Sequence, residues 1–157
     1  MQKITPFLWF DGNGEEAINF YTSIFKDSAT VSISRYGKGA PMPEGTMITA
    51  TFRLQGQEFM ALNGGPMFQF TPAISLFIKC KDQEEVNYFW DSLLADGGTE
   101  ERCGWLRDRF GLSWQIIPDR LGELLNDKDG ARAQRAMMAM LGMQKIDIAE
   151  LERAANG

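Results

Sequence analysis

Few residues in this chain could do chemistry, and none of them is a histidine. Ser-His-Asp and Cys-His nucleophile systems are therefore excluded, because both need an imidazole to take the attacking group's proton. Ser75, Phe77 and Lys79 alternate along one strand-like run and Ser113, Gln115 and Ile117 along another, so each trio shares a face. Asn63 begins Asn63-Gly64-Gly65-Pro66, where its amide either fixes a ligand or makes the turn. Cys103-Gly104-Trp105 places a thiol and an indole at a tight turn. A reactive thiol there would need a cation such as Arg102 or Arg107 to lower its pKa, and a small buried filler is the alternative. General acid or base work needs a carboxylate or a perturbed lysine. On these faces only Lys79 is available, near a strand end where it can reach water.

The elements that must position these residues come as a repeat. Asn13-Gly-Glu-Glu16 and Asp82-Gln-Glu-Glu85 both read as helix caps, 69 residues apart. In each, the Asn or Asp is expected to accept a backbone N–H three residues on, while the Glu reaches back to the cap amide. Behind them lie Ala17, Phe20, Tyr21, Ile24, Phe25 and Val86, Phe89, Trp90, Leu93, Leu94, two apolar ladders at helical spacing. Strand-like runs precede both helices, at Ile4 to Phe10 and Ala73 to Cys80. Gly56 to Asn63 matches Gly111 to Pro118, so Phe59 corresponds to Trp114 and Met60 to Gln115. Between helix and closing strand the first half has strands at Ala29 to Tyr36 and Thr46 to Leu54, with a loop rich in Gly and Pro between them. The second half compresses this into Thr99 to Cys103 and Trp105 to Arg109. The expectation is an α+β chain of tandem βαβββ modules, module one over about 1–66 and module two over about 71–118.

From about 119 to 157 the pattern turns helical. Arg120 to Asn126 reads as a short helix and Ala131 to Leu141 as a longer one stopped by Gly142. Asp147 with Glu150 forms a capping box, with Ile146 and Leu151 as its hydrophobic staple, which starts a last helix over Ile148 to Ala155. Met137, Met138, Met140 and Met143 are unusual on a surface helix and read either as core packing or as a subunit contact.

Composition bounds the function classes. The 157 residues are 44% hydrophobic and carry a net charge of −5. Arg102, Arg107 and Arg109 are interleaved with Glu100, Glu101 and Asp108, which leaves no basic face for nucleic acid. No apolar run approaches the roughly 18 residues of a membrane span, and no signal peptide is evident, so neither membrane nor nucleic acid is an expected partner. Cys80 and Cys103 fall on different elements and, without secretory context, read as reduced thiols in the cytoplasm.

Several longer runs carry a resemblance. Ala61 to Phe77, Cys103-Gly-Trp105, Ser113-Trp-Gln115 and Ala139 to Ile148 are similar to the PhnB-like family. This family is also labelled 3-demethylubiquinone-9 3-methyltransferase and belongs to the glyoxalase, bleomycin-resistance and extradiol dioxygenase superfamily. The resemblance covers nearly the whole chain and implies a single glyoxalase-like domain, its two modules forming an open eight-stranded cup, and a homodimer. It also implies a divalent metal held by His and Glu at four positions. With the helix caps as anchor these are Pro6, Met60, Ser75 and Gln115 here, a set too neutral and too soft for such an ion. No metal and no cofactor are expected. Nor does a methyltransferase follow from the label, since Asp11-Gly-Asn-Gly14 reads as a strand exit and cap and Gly37 to Gly39 lies between strands.

Within such a cup Pro6, Leu8, Phe10, Met60 and Leu62 would face Ser75, Phe77, Gln115 and their neighbours. This is either an aromatic-lined hollow for a small molecule or a closed core. Ser75 and Gln115 are the expected polar anchors. Met60, Leu8, Phe77, Asn63, Cys103 and Trp105 complete the candidate site. Binding of an aromatic or quinone-like molecule is the better reading, with a metal-free enzyme on such a ligand as the alternative.

Overall fold

Two amphipathic helices organise the chain, each returned to by the strands that follow it. The computed structural model describes residues 2–157 and divides into two compact units, Met1–Phe70 and Thr71–Gly157. In the first, β1 (Phe7–Phe10), α1 (Gly14–Ile24), β2 (Ala29–Arg35), β3 (Met47–Leu54) and β4 (Gln57–Asn63) give a sheet in the order β1-β4-β3-β2. In the second, β5 (Ser75–Cys80), α2 (Gln83–Leu94), β6 (Thr99–Glu100), β7 (Trp105–Arg107) and β8 (Ser113–Pro118) give β5-β8-β7-β6. The first and last strands of each unit pair in parallel and the others antiparallel. Parallel neighbours need a crossover, and the helix supplies it. The α+β architecture of two open βαβββ units is thus as the repeat predicts.

In unit one, α1 packs its buried Ala17, Ile18, Tyr21 and Ile24 over β3 and β4. Tyr21 stacks on Phe52 at 6.5 Å between ring centroids, and Phe52 on Phe59 at 5.5 Å. In unit two, Val86, Phe89, Trp90 and Leu93 of α2 are buried, and the helix lies over β7 and β8.

The two caps differ in chemistry. Asp82 accepts the Glu85 N–H at 2.9 Å, while the Glu85 carboxylate accepts the amide of Lys81, one residue before the cap. Asn13 makes no side-chain cap bond. Instead the Gly14 N–H donates to Asn63 Oδ1 at 2.8 Å, so the end of β4 caps α1.

This exchange goes with a longer link: three residues separate β1 from α1, with Gly12 at φ +78°, against two between β5 and α2. Phe77 therefore stands 70 residues after Phe7, whereas Asp82 stands 69 after Asn13. Anchoring on the caps turns β1 over by one residue. In the structure Leu8 and Phe10 are buried, Leu8 opposite Ala61, while Phe7 is exposed opposite Met60. The expectation that Leu8 and Phe10 share an open face with Met60 is thereby corrected.

The tail forms α3 (Asp119–Leu125), α4 (Gly130–Leu141) and α5 (Ile148–Asn156). Its own cluster unites Leu121, Leu124, Ala136, Met143, Ile146, Leu151 and Ala155. Asp147 caps α5 through the Glu150 N–H at 3.1 Å. Gln83 of α2 ties in this tail, donating to Ile146 O at 2.9 Å and accepting the Ile148 N–H at 2.8 Å. Among the described residues no helix is long and apolar enough to cross a membrane.

The buried Asp108 closes the β7–β8 turn. Its Oδ1 accepts the N–H groups of Phe110 and Leu112 at 2.9 and 3.1 Å, and its Oδ2 the Trp114 indole at 2.9 Å. Replacing Asp108 by Ala orphans these donors together. Urea unfolding should show a loss of about 3 kcal/mol, judged from the cost of unmade bonds to a charged group.

Candidate functional site

Pairing of β5 with β8 sorts the second sheet into two faces. Cys80, Trp114 and Ile116 lie buried on the α2 side. Ser75, Phe77, Lys79, Gln115 and Ile117 alternate to the other side, where the register of β7 adds Trp105 opposite Gln115 and Arg107 opposite Ser113. Two of the expected anchors meet there, Gln115 Nε2 donating to Ser75 Oγ at 3.0 Å. Phe77 beside them is 59% exposed, an unusual position for so large an apolar side chain in mid-strand.

Two hollows open along this unit. One of about 450 Å³ is lined by Phe77, Lys79, Ile117, Pro118, Asp119, Gly122 and Glu123. The other, about 270 Å³, is lined by Pro72, Glu101, Arg102, Trp105, Arg107 and Ser113. Ser113 is 1% exposed and its Oγ has no hydrogen-bond partner among the described residues. Sequence alone placed Ser113 on the right face but gave no sign that the hydroxyl would be buried there.

Other expected site residues fall elsewhere. Met60 is half-buried on the open face of the first sheet, and Leu8 lies beneath it on the helix side. Asn63 is committed to structure, accepting from Gly14 and donating to Met47 O at 3.1 Å. Cys103 is half-buried with φ +59°, and its N–H donates to Met143 O at 2.8 Å, so the tail holds this turn. Gly104 beside it sits at φ +84°, a conformation strained for any other residue, and a Cβ there would press on Ile116 O at 3.0 Å. Burial pushes the Cys80 thiol up to about 12, helped by the carboxylates of Glu85, Asp119 and Asp82, which makes it an inert filler. Lys79 is 3.8 Å from Asp119, with most of its side chain in water.

The residues do not fit the divalent metal that the sequence resemblance implies. By strand register the position equivalent to Ser75 is Thr5 rather than Pro6, which leaves Thr5, Met60, Ser75 and Gln115. Ser75 and Gln115 satisfy each other, and none of the four carries a charge to offset a dication. Among the described residues no three His, Cys, Asp or Glu side chains converge.

The sequence profile of the 3-demethylubiquinone-9 3-methyltransferase family matches residues 2–117. Among solved structures, a Bacillus cereus PhnB protein carrying that same methyltransferase label is 46% identical. The match covers 74% of this chain and 99% of that one, with a TM-score of 0.69. A Pseudomonas aeruginosa protein shares the fold at 21% identity, with 75% and 98% covered and a TM-score of 0.61. A glyoxylase/bleomycin resistance protein/dioxygenase domain from a Frankia species is 14% identical over 75% and 92%, at a TM-score of 0.47. No curated protein matches.

An unpartnered buried hydroxyl costs stability. Ser113→Ala should therefore raise the unfolding free energy, by on the order of 1 kcal/mol in urea titration. A loss of stability would mean that Ser113 Oγ has a partner in solution.

Proposed function

Since the chain belongs to the 3-demethylubiquinone-9 3-methyltransferase, PhnB-like family, we propose that it binds a small aromatic or quinone-like molecule on the open face of its second sheet, in the cytoplasm. The observation that carries this reading is the exposed Phe77 ring beside the hydrogen-bonded Ser75–Gln115 pair. Small-molecule sites combine apolar area with a few placed polar groups, and this face has both. Phe77 offers a ring to stack on. Ser75 and Gln115 keep spare donor and acceptor capacity beyond the one bond they share.

Catalysis is the weaker reading. A metal-free enzyme would need an acid or base on that face, and Lys79, solvated and beside Asp119, is poorly placed to act as one. The methyl transfer in the family's label finds no support in these side chains.

Thermal-shift screening of neutral aromatic and quinone-like compounds supplies a probe, and calorimetry its Kd. Replacing both Ser75 and Gln115 by Ala should raise that Kd about tenfold with the fold intact, as expected for losing neutral bonds of roughly 0.5 to 1.5 kcal/mol each. An unchanged Kd would place the site elsewhere.

Assembly is a second proposal. Met137, Met138 and Leu141 of α4 are 47%, 62% and 48% exposed, while Met143 is buried in the tail's core. Spacings of three and four residues put the exposed trio on one stripe, which we propose is covered by a second copy of the chain. Sedimentation at micromolar concentration should give a dimer, and Met138→Lys a monomer. A monomeric native protein removes the proposal.

A further inference from the structure

The hollow formed by Pro72, Glu101, Arg102, Trp105, Arg107 and Ser113 has the chemistry of an anion site. Its lining holds two guanidiniums and one carboxylate, so one positive charge is left unbalanced. Glu101 accepts from Arg107 Nε at 2.8 Å and so neutralises that arginine. Arg102 is exposed, and its side chain makes no hydrogen bond or ion pair with any described residue. A second, independent observation points the same way. Ser113 belongs to the same lining, and its buried Oγ, without a partner among the described residues, keeps an O–H donor unspent. Trp105 and Pro72 supply flat apolar walls.

A guanidinium has two parallel N–H donors that match a carboxylate edge, a hydroxyl can add a third donor, and an indole face suits a planar body. We propose that this hollow takes the carboxylate of a planar aromatic acid, with Arg102 and Ser113 as its anchors and Trp105 against its ring. About 270 Å³ accommodates a single ring with its carboxylate and little more. The inference rests on the open face of the second sheet being a binding face and adds the charge and shape of what enters it.

Ligand-observed NMR titrations with benzoate, benzyl alcohol and inorganic phosphate test this on the full chain. Benzoate should bind at least tenfold more tightly than benzyl alcohol or phosphate, and its affinity should weaken as salt rises. Arg102→Gln should abolish that preference, Arg102→Lys should retain part of it, and Ser113→Ala should weaken benzoate several-fold. Equal binding of benzoate and benzyl alcohol, or a preference that survives Arg102→Gln, overturns the anion site but leaves neutral aromatic binding at Ser75 and Gln115 standing. Phosphate binding as tightly as benzoate overturns the planar acid. If neither benzoate nor the neutral probes bind, both readings fall together.

Discussion

The parallel pairing of β5 with β8 fixes what the second unit can offer a ligand. Ser75 opposite Ser113 and Phe77 opposite Gln115 set which side chains look away from α2, and a shift of one residue would send all of them under the helix. The helix locks the choice, because Trp114 and Ile116 are needed on its side with Val86, Phe89, Trp90 and Leu93. What remains on the other side is a mixed strip: an exposed ring, a bonded serine–glutamine pair, an unpaired arginine and a buried hydroxyl. None of these is explained by packing alone.

Most of the architecture could be read from local chemistry. Apolar ladders at helical spacing and strands that alternate are short-range signals, and all of the expected helices and strands exist within a few residues of their expected bounds. The slip in β1 arose where two similar links differ by one residue, around Gly12, while the caps look alike in sequence. Asn13 reads in sequence as the cap of α1, yet Asn63 caps it from 49 residues away. A contact over that distance leaves no periodicity to read. For the same reason the sequence leaves Asn63 open between a ligand and the turn, while in the fold both ends of its amide are spent inside the unit.

Asp108 shows the same limit from another side. In the sequence it stands between Arg107 and Arg109 and reads as one charge of an exposed cluster. The chain reverses at Gly111, which brings Leu112 and Trp114 back to the carboxylate and buries it. An acidic residue three positions before a glycine was the available sign of a turn. Ser113, by contrast, carried no sign, since burial of a hydroxyl without a partner depends on everything around it.

The family profile stops at residue 117, close to the end of β8, yet the second unit is not finished there. The amides of Cys103 and Gly104 find their acceptors at Met143 and Gln144, each about 2.8 Å away. Those carbonyls arrive some 40 residues later in synthesis. On the ribosome, where chains emerge at about 5–20 residues per second, the first unit can settle while the β6–β7 turn still awaits its partners. The Arg102 and Trp105 flanks of that turn therefore take their final shape only once the segment carrying Met143 and Gln144 has been made.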